Sequence, residues 1–188
     1  MKTYKVTIDD HGVIRWCHND VFHREDGPAV EYPDGTKAWY INGKRHREDG
    51  PALERADGSR EWYLNEKRHR ENGPAVEYES GAKSWYLNGK RHRENGPAVE
   101  YENGCREWYV NGKLHREDGP ACEYAEGTKS WWVNGKRHRE NGPAIERADG
   151  TRAWYINDVQ FTEEEFNQRT KPLFGATIIV DGVEYKLS

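Results

Sequence analysis

The chain has 188 residues, of which 34% are hydrophobic and 33% are charged, and its formal net charge is −4. This polar composition excludes a thick two-layer core, whereas 8 Trp and 11 Tyr exclude a disordered chain. The 29 basic and 33 acidic residues leave no positive excess that would indicate a nucleic-acid binder or a membrane-surface protein. We therefore predict a thin structure in which aromatic side chains supply most of the buried area.

The N-terminal segment "MKTYKVTIDD" contains no apolar stretch of signal-peptide length, and we interpret residues 2–8 as a capping strand. The cysteines are Cys17, Cys105 and Cys122, and their spacing fits neither a disulfide framework nor a zinc site. These features favour a cytoplasmic protein with no membrane partner, which for a viral protein would be the host cytoplasm.

From Gly12 onward the sequence repeats every 23 residues without slippage. The unit reads G-x-x-x-W-x-x-N-x-x-x-H-R-E-[DN]-G-P-A-x-E-x-x-x, with six full copies over residues 12–149 and a partial seventh from Gly150. We predict three regions: a capping strand at 1–11, a repeat array at 12–161 and a C-terminal cap at 162–188.

Each copy predicts two antiparallel strands, "PAVEY" (28–32) and "TKAWYI" (36–41), joined by a "PDG" turn. Alternation places Trp39 on one strand face and Tyr40 on the other. "NGKRHREDG" (42–50) would allow a third strand after a type I′ turn. We favour a structured connection, with local hairpin or bulge character at most, because a third reversal per copy would invert successive copies.

The pattern breaks after Asn157, and a different cap is predicted there. Thr162 followed by Glu165 forms a capping box, which predicts a short helix over about 163–169. "ATIIVDGVEYKLS" then predicts a β-hairpin that turns at Asp181-Gly182 and covers the last copy. The predicted fold is all-β: an elongated single-layer antiparallel sheet of stacked hairpins with a helix and hairpin cap.

The repeat resembles the MORN family over roughly residues 12–161, in its length and in its "Y-x-D-G-T-K-x-W-Y-x-N-G-K-R-H" pattern. It is most similar to variant units with "HREDGPA" in bacterial and phage proteins, and it departs where MORN units place Gly after the His. The resemblance implies stacked hairpins in one long twisted sheet. It also implies scaffolding and partner binding, without shared catalytic residues.

The recurring loop offers no catalytic or metal chemistry. Two strands per copy place equivalent residues roughly 10 Å apart, too far for histidines to share a metal ion. Asp and Asn exchange freely before the loop Gly, which indicates an Asx-turn, and we expect Gly27 and Gly50 to have positive φ. The invariant Arg47 and Glu48 are expected to pair within or between loops, and Glu31 could meet Lys37.

Two surfaces remain as candidate binding sites. The alternative is that both are purely structural: the loop motif would form the turn of each copy, and the aromatic rings would stack along the sheet. An edge that is basic through Lys44-Arg45 and its equivalents would use Arg47, His69, Arg70, His92, Arg93, His115 and Arg116. An exposed aromatic face would use Tyr40, Tyr63, Tyr86, Tyr109 and Trp132.

We expect a non-enzymatic module without a cofactor or metal that binds a protein partner. If the protein comes from a phage, that partner could be a host or defence factor that it blocks. The alternative is a module that binds nucleotide or phosphate groups on the basic edge. The neighbouring acidic row argues against duplex nucleic acid, and a homo-oligomer stays open.

Overall fold

The computed structural model describes residues 3–170, 177–180 and 183–186. Its main element is one antiparallel sheet of sixteen strands, which follows the order of the chain and does not close on itself. The predicted all-β fold with one short C-terminal helix is confirmed.

Two kinds of short strand alternate along the long sheet. The strand that carries the invariant Glu occurs as Val30–Glu31, Leu53–Glu54, Val76–Glu77, Val99–Glu100, Cys122–Glu123 and Ile145–Glu146. The strand that leads to the Trp occurs as Ile14–His18, Lys37–Ala38, Arg60–Glu61, Lys83–Ser84, Arg106–Glu107, Lys129–Ser130 and Arg152–Ile156. Each strand pairs with the one before it and the one after it, as Lys37–Ala38 does with Val30–Glu31 and Leu53–Glu54.

A small hairpin follows the Trp in each central copy, so the connection has the predicted local hairpin character, and the third strand that we had argued against is present. Tyr40 pairs with Arg45 and Ile41 with Lys44 across the Asn-Gly turn. The hairpins are Tyr40–Ile41 with Lys44–Arg45, Tyr63–Leu64 with Lys67–Arg68, Tyr86–Leu87 with Lys90–Arg91, Tyr109–Val110 with Lys113–Leu114, and Trp132–Val133 with Lys136–Arg137.

The chain direction still reverses only twice in each copy. The amide of His46 donates to the Trp39 carbonyl oxygen at 3.1 Å, and the Trp39 amide donates to the Ala52 carbonyl oxygen at 2.8 Å. Residues 44–46 and 52–54 therefore form one interrupted strand beside 37–41, and residues 47–51 bulge out of it as a loop. The additional strand at 44–46 is the first half of this interrupted strand, and its second half is the predicted strand that begins with Pro-Ala. It adds no further reversal, so successive copies keep the same orientation.

The hairpin turn requires two residues in the left-handed region. Asn42 has a φ of 50° and Gly43 a φ of 74°, as a type I′ turn demands. Asp20, Glu66 and Asp158 take the second position in three copies, with φ of 60°, 69° and 67°. The Glu66 carboxylate accepts a hydrogen bond from the Arg45 amide at 2.6 Å, which compensates for the less favourable backbone.

The two ends of the sheet differ from the central copies. At the start, Lys5–Ile8 pairs with Ile14–His18, which also pairs with Val21–Phe22. At the other end, Val159–Phe161 pairs with Arg152–Ile156 and is followed by the helix Glu163–Thr170.

The predicted capping box begins this helix, because the Glu165 amide donates to Thr162 Oγ1 at 3.2 Å and the Thr162 amide donates to Glu165 Oε2 at 2.8 Å. Thr177–Val180 pairs with Val183–Lys186 as the predicted hairpin. Its turn at Asp181-Gly182 lies outside the described residues.

The sheet has two chemically distinct faces. Val30, Ala38 and Leu53 lie opposite one another and form a core with Val13, against which Tyr40 packs. We call this side the Tyr–Arg face, because the alternation also places Tyr40 and Arg45 on it. The opposite side, the loop face, carries the Trp of each copy and the loop that bulges out beside it.

Candidate functional site

The loop of each full copy is held by its arginine over its own tryptophan. The Arg47 guanidinium carbon lies 4.3 Å from the Trp39 ring centre. Its Nη1 donates to the Pro51 carbonyl oxygen at 3.2 Å and to Glu54 Oε1 at 3.3 Å. Arg47 therefore pairs with the strand residue Glu54, whereas the sequence had suggested a pair with Glu48. The same stack recurs for Arg24, Arg70, Arg93, Arg116 and Arg139.

The glycine of the loop makes room for this arginine. A Cβ atom at Gly50 would lie 2.9 Å from Arg47 Cζ, closer than real Cβ contacts allow. The predicted positive φ is wrong for Gly27 and Gly50, which do not occupy the left-handed region. Among the equivalent loop glycines of the other copies, only Gly73 and Gly96 have the predicted positive φ, at 149° and 123°. Space is thus the tighter constraint at Gly27, Gly50 and Gly119, whereas backbone conformation also favours glycine at positions 73 and 96.

The exchange between Asp and Asn gives two arrangements of the arginine. Where the loop has Asp, as at Asp49, the carboxylate accepts a hydrogen bond from Arg47 Nε at 2.9 Å. That bond holds the pKa of the Asp49 carboxyl below its usual value. Where the loop has Asn, the arginine moves towards the strand carboxylate, and Arg93 Nη1 lies 2.8 Å from Glu100. In the copies with Asp, an ion pair to the arginine takes the place of the predicted Asx-turn.

The loop histidine connects one copy to the next. His46 Nδ1 lies 3.3 Å from the Asn65 backbone nitrogen and 3.2 Å from Asn65 Oδ1. Nε2 faces Glu48 Oε1 at 3.6 Å. The histidines are thus bonded parts of the array and not free loop side chains.

The loops expose acidic groups and cover their arginines. The Glu48 and Asp49 side chains are 85% and 84% exposed, whereas that of Arg47 is 24% exposed. The structure places all seven predicted edge residues in one row on the loop face, with Arg47, Arg70, Arg93 and Arg116 all engaged internally. The exposed basic residues of this face stand apart, at the hairpin tips: Lys44, Lys67, Lys90, Lys113 and Lys136.

Open clefts of similar size lie between successive loops. Three of them have volumes of about 570, 630 and 650 Å³. In the second of these, Trp62 and Leu64 line the cleft together with the loops at 46–50 and 69–72. Each cleft thus combines an aromatic and an aliphatic side chain with exposed carboxylates on its rim.

The predicted aromatic column lies on the Tyr–Arg face but is not exposed. Tyr63 is only 7% exposed, and its neighbours in the column are half-buried. Arg45 joins two of them, because its Nε donates to the Tyr40 hydroxyl at 3.2 Å and its Nη1 donates to the Tyr63 hydroxyl at 3.3 Å. Tyr86, Tyr109 and Trp132 continue the column, where Arg91 and Arg137 contact their rings or hydroxyls. The exposed tyrosines are instead Tyr32, Tyr78, Tyr101 and Tyr124.

A buried carboxylate on this face escaped the sequence analysis. Glu61 is 2% exposed and accepts hydrogen bonds from Tyr63 at 2.7 Å and from Arg68 at 2.9 Å. Arg55 Nη2 lies 2.6 Å from its other oxygen. Burial alone would raise the pKa of Glu61, but these hydrogen bonds and charges together hold it below its usual value. One sequence signal could have indicated this carboxylate: Arg55, its ion-pair partner, replaces the tyrosine found at the same position in other copies, as at Tyr32 and Tyr78.

No protein-family model matches the chain, and no curated protein is significantly similar to it. Among the residues that the structure describes, no group of His, Cys, Asp and Glu could hold a metal ion. Within the same part of the chain, no helix has the length and apolar character needed to cross a membrane.

Proposed function

We propose that the protein is a non-enzymatic binding module that engages a protein partner across the loop face. The observation that carries this proposal is the row of similar clefts between successive loops. Several equal clefts on one continuous sheet allow a partner to make the same contact repeatedly. Linked contacts of this kind raise the overall affinity well beyond that of any single contact.

The anchoring of the loops supports this proposal. Each loop is tied to its own copy by the stacked arginine and to the next copy by the histidine. A partner would therefore meet loops that are already ordered, and binding would cost little conformational entropy. The resemblance to phage MORN-like proteins adds the proposal that the partner is a host or defence factor that the protein blocks.

The charges of this face favour a protein over a phosphate ligand. The guanidinium groups that would hold phosphates already bond to Glu54, Glu77, Glu100 and their equivalents. The exposed groups beside them are carboxylates, which repel phosphate. The nucleotide alternative therefore gains no support from the geometry.

The proposal is tested by comparing charge reversals on the two edges of the sheet. Glu71→Arg combined with Glu94→Arg changes the rims of the clefts, whereas Glu79→Arg combined with Glu102→Arg makes the same change at exposed turn positions. Partner capture from lysate, read by mass spectrometry, should be lost only with the first pair, while both variants keep the wild-type melting temperature. Capture that both variants retain equally would refute binding across the loop face.

A further inference from the structure

In the first copy, which no loop precedes, a side chain of the N-terminal segment packs beside the Trp and the His. The Tyr4 ring centre lies 6.2 Å from that of Trp16, 6.3 Å from that of His18 and 6.1 Å from that of His23. One period later in the sequence these three positions are Trp39, Ile41 and His46, which line the open cleft between the first two loops. Tyr4 therefore lies beside the positions of the first copy whose equivalents line an open cleft in the second.

The histidine beside Tyr4 is less exposed than its equivalents in later copies. The His23 side chain beside Tyr4 is 2% exposed, whereas the His46 and His115 side chains are 19% and 17% exposed. In this chain a tyrosine ring thus packs beside the Trp and the His of one copy. Offset and edge-on ring contacts at these distances are favourable.

We propose that each open cleft accepts one aromatic side chain of the partner, and that a single polyproline II segment presents these side chains at every third residue. This inference rests on the proposed function and specifies the partner of the same face. The geometry of the array determines the choice of segment.

The clefts repeat once per copy, and two strands per copy at about 4.8 Å each give a pitch of roughly 10 Å. A polyproline II helix places every third residue on the same side and rises about 9.3 Å in three residues. A β-strand places same-side residues about 6.7 or 13 Å apart, and neither spacing matches the pitch of roughly 10 Å between successive clefts. Polyproline II is the extended conformation whose repeat fits successive clefts.

The rims specify the residues between the aromatic ones. Exposed carboxylates such as Glu48, Asp49 and Glu71 border the clefts. A segment with Lys or Arg beside each aromatic residue would complement them, and a segment with Asp or Glu there would be repelled. We therefore expect a proline-rich segment with one aromatic and one basic residue in each triplet.

The test uses fluorescein-labelled peptides and the full-length protein, with binding read by fluorescence anisotropy. The probe is four repeats of Tyr-Pro-Lys, and the control peptide has the same composition with its tyrosines two or four residues apart. We expect the triplet peptide to bind about tenfold more tightly than the control, a difference of about 1.4 kcal/mol. Equal affinities, or no binding of the triplet peptide, would overturn the proposal.

Filling the clefts provides a second test. Leu64→Trp with Leu87→Trp places rings in two clefts, and Tyr78→Trp with Tyr101→Trp adds the same bulk at exposed positions. The first pair should weaken triplet binding about tenfold and the second should not. If the Leu variant does not fold, the Glu71→Arg, Glu94→Arg variant replaces it with the same expectation. Undiminished binding by a folded cleft variant refutes the proposal.

Failure of this inference is distinguishable from failure of the proposed function. If capture of a partner depends on Glu71 and Glu94 but the triplet peptide does not displace that partner, the proposed function stands and the polyproline II inference is refuted. If the charge-reversed variant captures the partner as well as the wild type does, binding across the loop face is refuted.

Discussion

The Arg93 guanidinium carbon lies 3.8 Å from the centre of the Trp85 ring, and a Cβ atom at Gly96 would lie 3.3 Å from that carbon. Three residues of the repeat thus form one packed unit in which the ring supports the cation and the glycine leaves space above it. This unit positions each loop, and so it also shapes the clefts between loops.

Alanine at the loop glycine should destabilise the protein according to the space available. Cβ would lie 2.7 Å from Arg116 Cζ at Gly119 but 3.3 Å from Arg139 Cζ at Gly142, and neither glycine has positive φ. We expect Gly119→Ala to cost about 1–3 kcal/mol in urea unfolding and Gly142→Ala clearly less. In an Arg116→Ala background the cost of Gly119→Ala should largely vanish. A cost that persists there would mean that the backbone, not the arginine, requires glycine.

The loop histidine should contribute measurably to stability. His92 Nδ1 accepts the Asn111 backbone N–H at 3.2 Å, so His92→Ala should cost about 1 kcal/mol. Trp85→Ala should cost about 3 kcal/mol or more, because it removes the ring on which Arg93 stacks. His11→Ala, at an exposed position before the array, is the control and should change nothing in thermal unfolding. An equally silent His92→Ala would show that the bond to the next copy carries no net free energy.

Glu61 should make stability depend on pH in the acid range. Because its pKa in the folded state lies below its usual value, its contribution is complete above the unfolded pKa of about 4.3 and is lost as pH falls through the folded value. Glu61→Gln should therefore lower the free energy of unfolding at neutral pH, and the difference from wild type should shrink as the pH falls below about 4. Urea unfolding across this range measures it, with Glu79→Gln as the exposed control. A difference that is independent of pH would contradict this account.

The three cysteines should differ in reactivity. Cys122 is 2% exposed, and burial raises the pKa of its thiol to about 11, whereas Cys17 and Cys105 are half-buried. Iodoacetamide at neutral pH should modify Cys17 and Cys105 first and Cys122 only after unfolding, because the thiolate is the reactive form. Cys122→Val should leave stability nearly unchanged, since Val30, Val76 and Val99 occupy the same position. Rapid labelling of Cys122 in the folded protein would contradict its burial.

The sequence determined the period, the two chain reversals per copy and the capped helix, because each depends on local pattern. It did not determine which side chains meet. Every invariant residue recurs with the same spacing, so Glu48 and Glu54 were equally valid partners for Arg47 until the loop conformation was known. The strand at 44–45 could not be predicted, because the loop that follows it, which restores the chain direction, leaves no mark on the periodicity.

The hydrogen bonds between copies give the array a direction. His138 meets Asn157, the Arg139 amide donates to the Tyr155 carbonyl oxygen, and the Arg137 amide donates to Asp158. The partial seventh copy has no loop of its own, yet it completes the loop of the sixth. A structural unit is therefore offset from the sequence repeat. Insertion of 23 residues should lengthen the array and deletion of any internal 23 residues should shorten it, provided that this loopless final copy is retained.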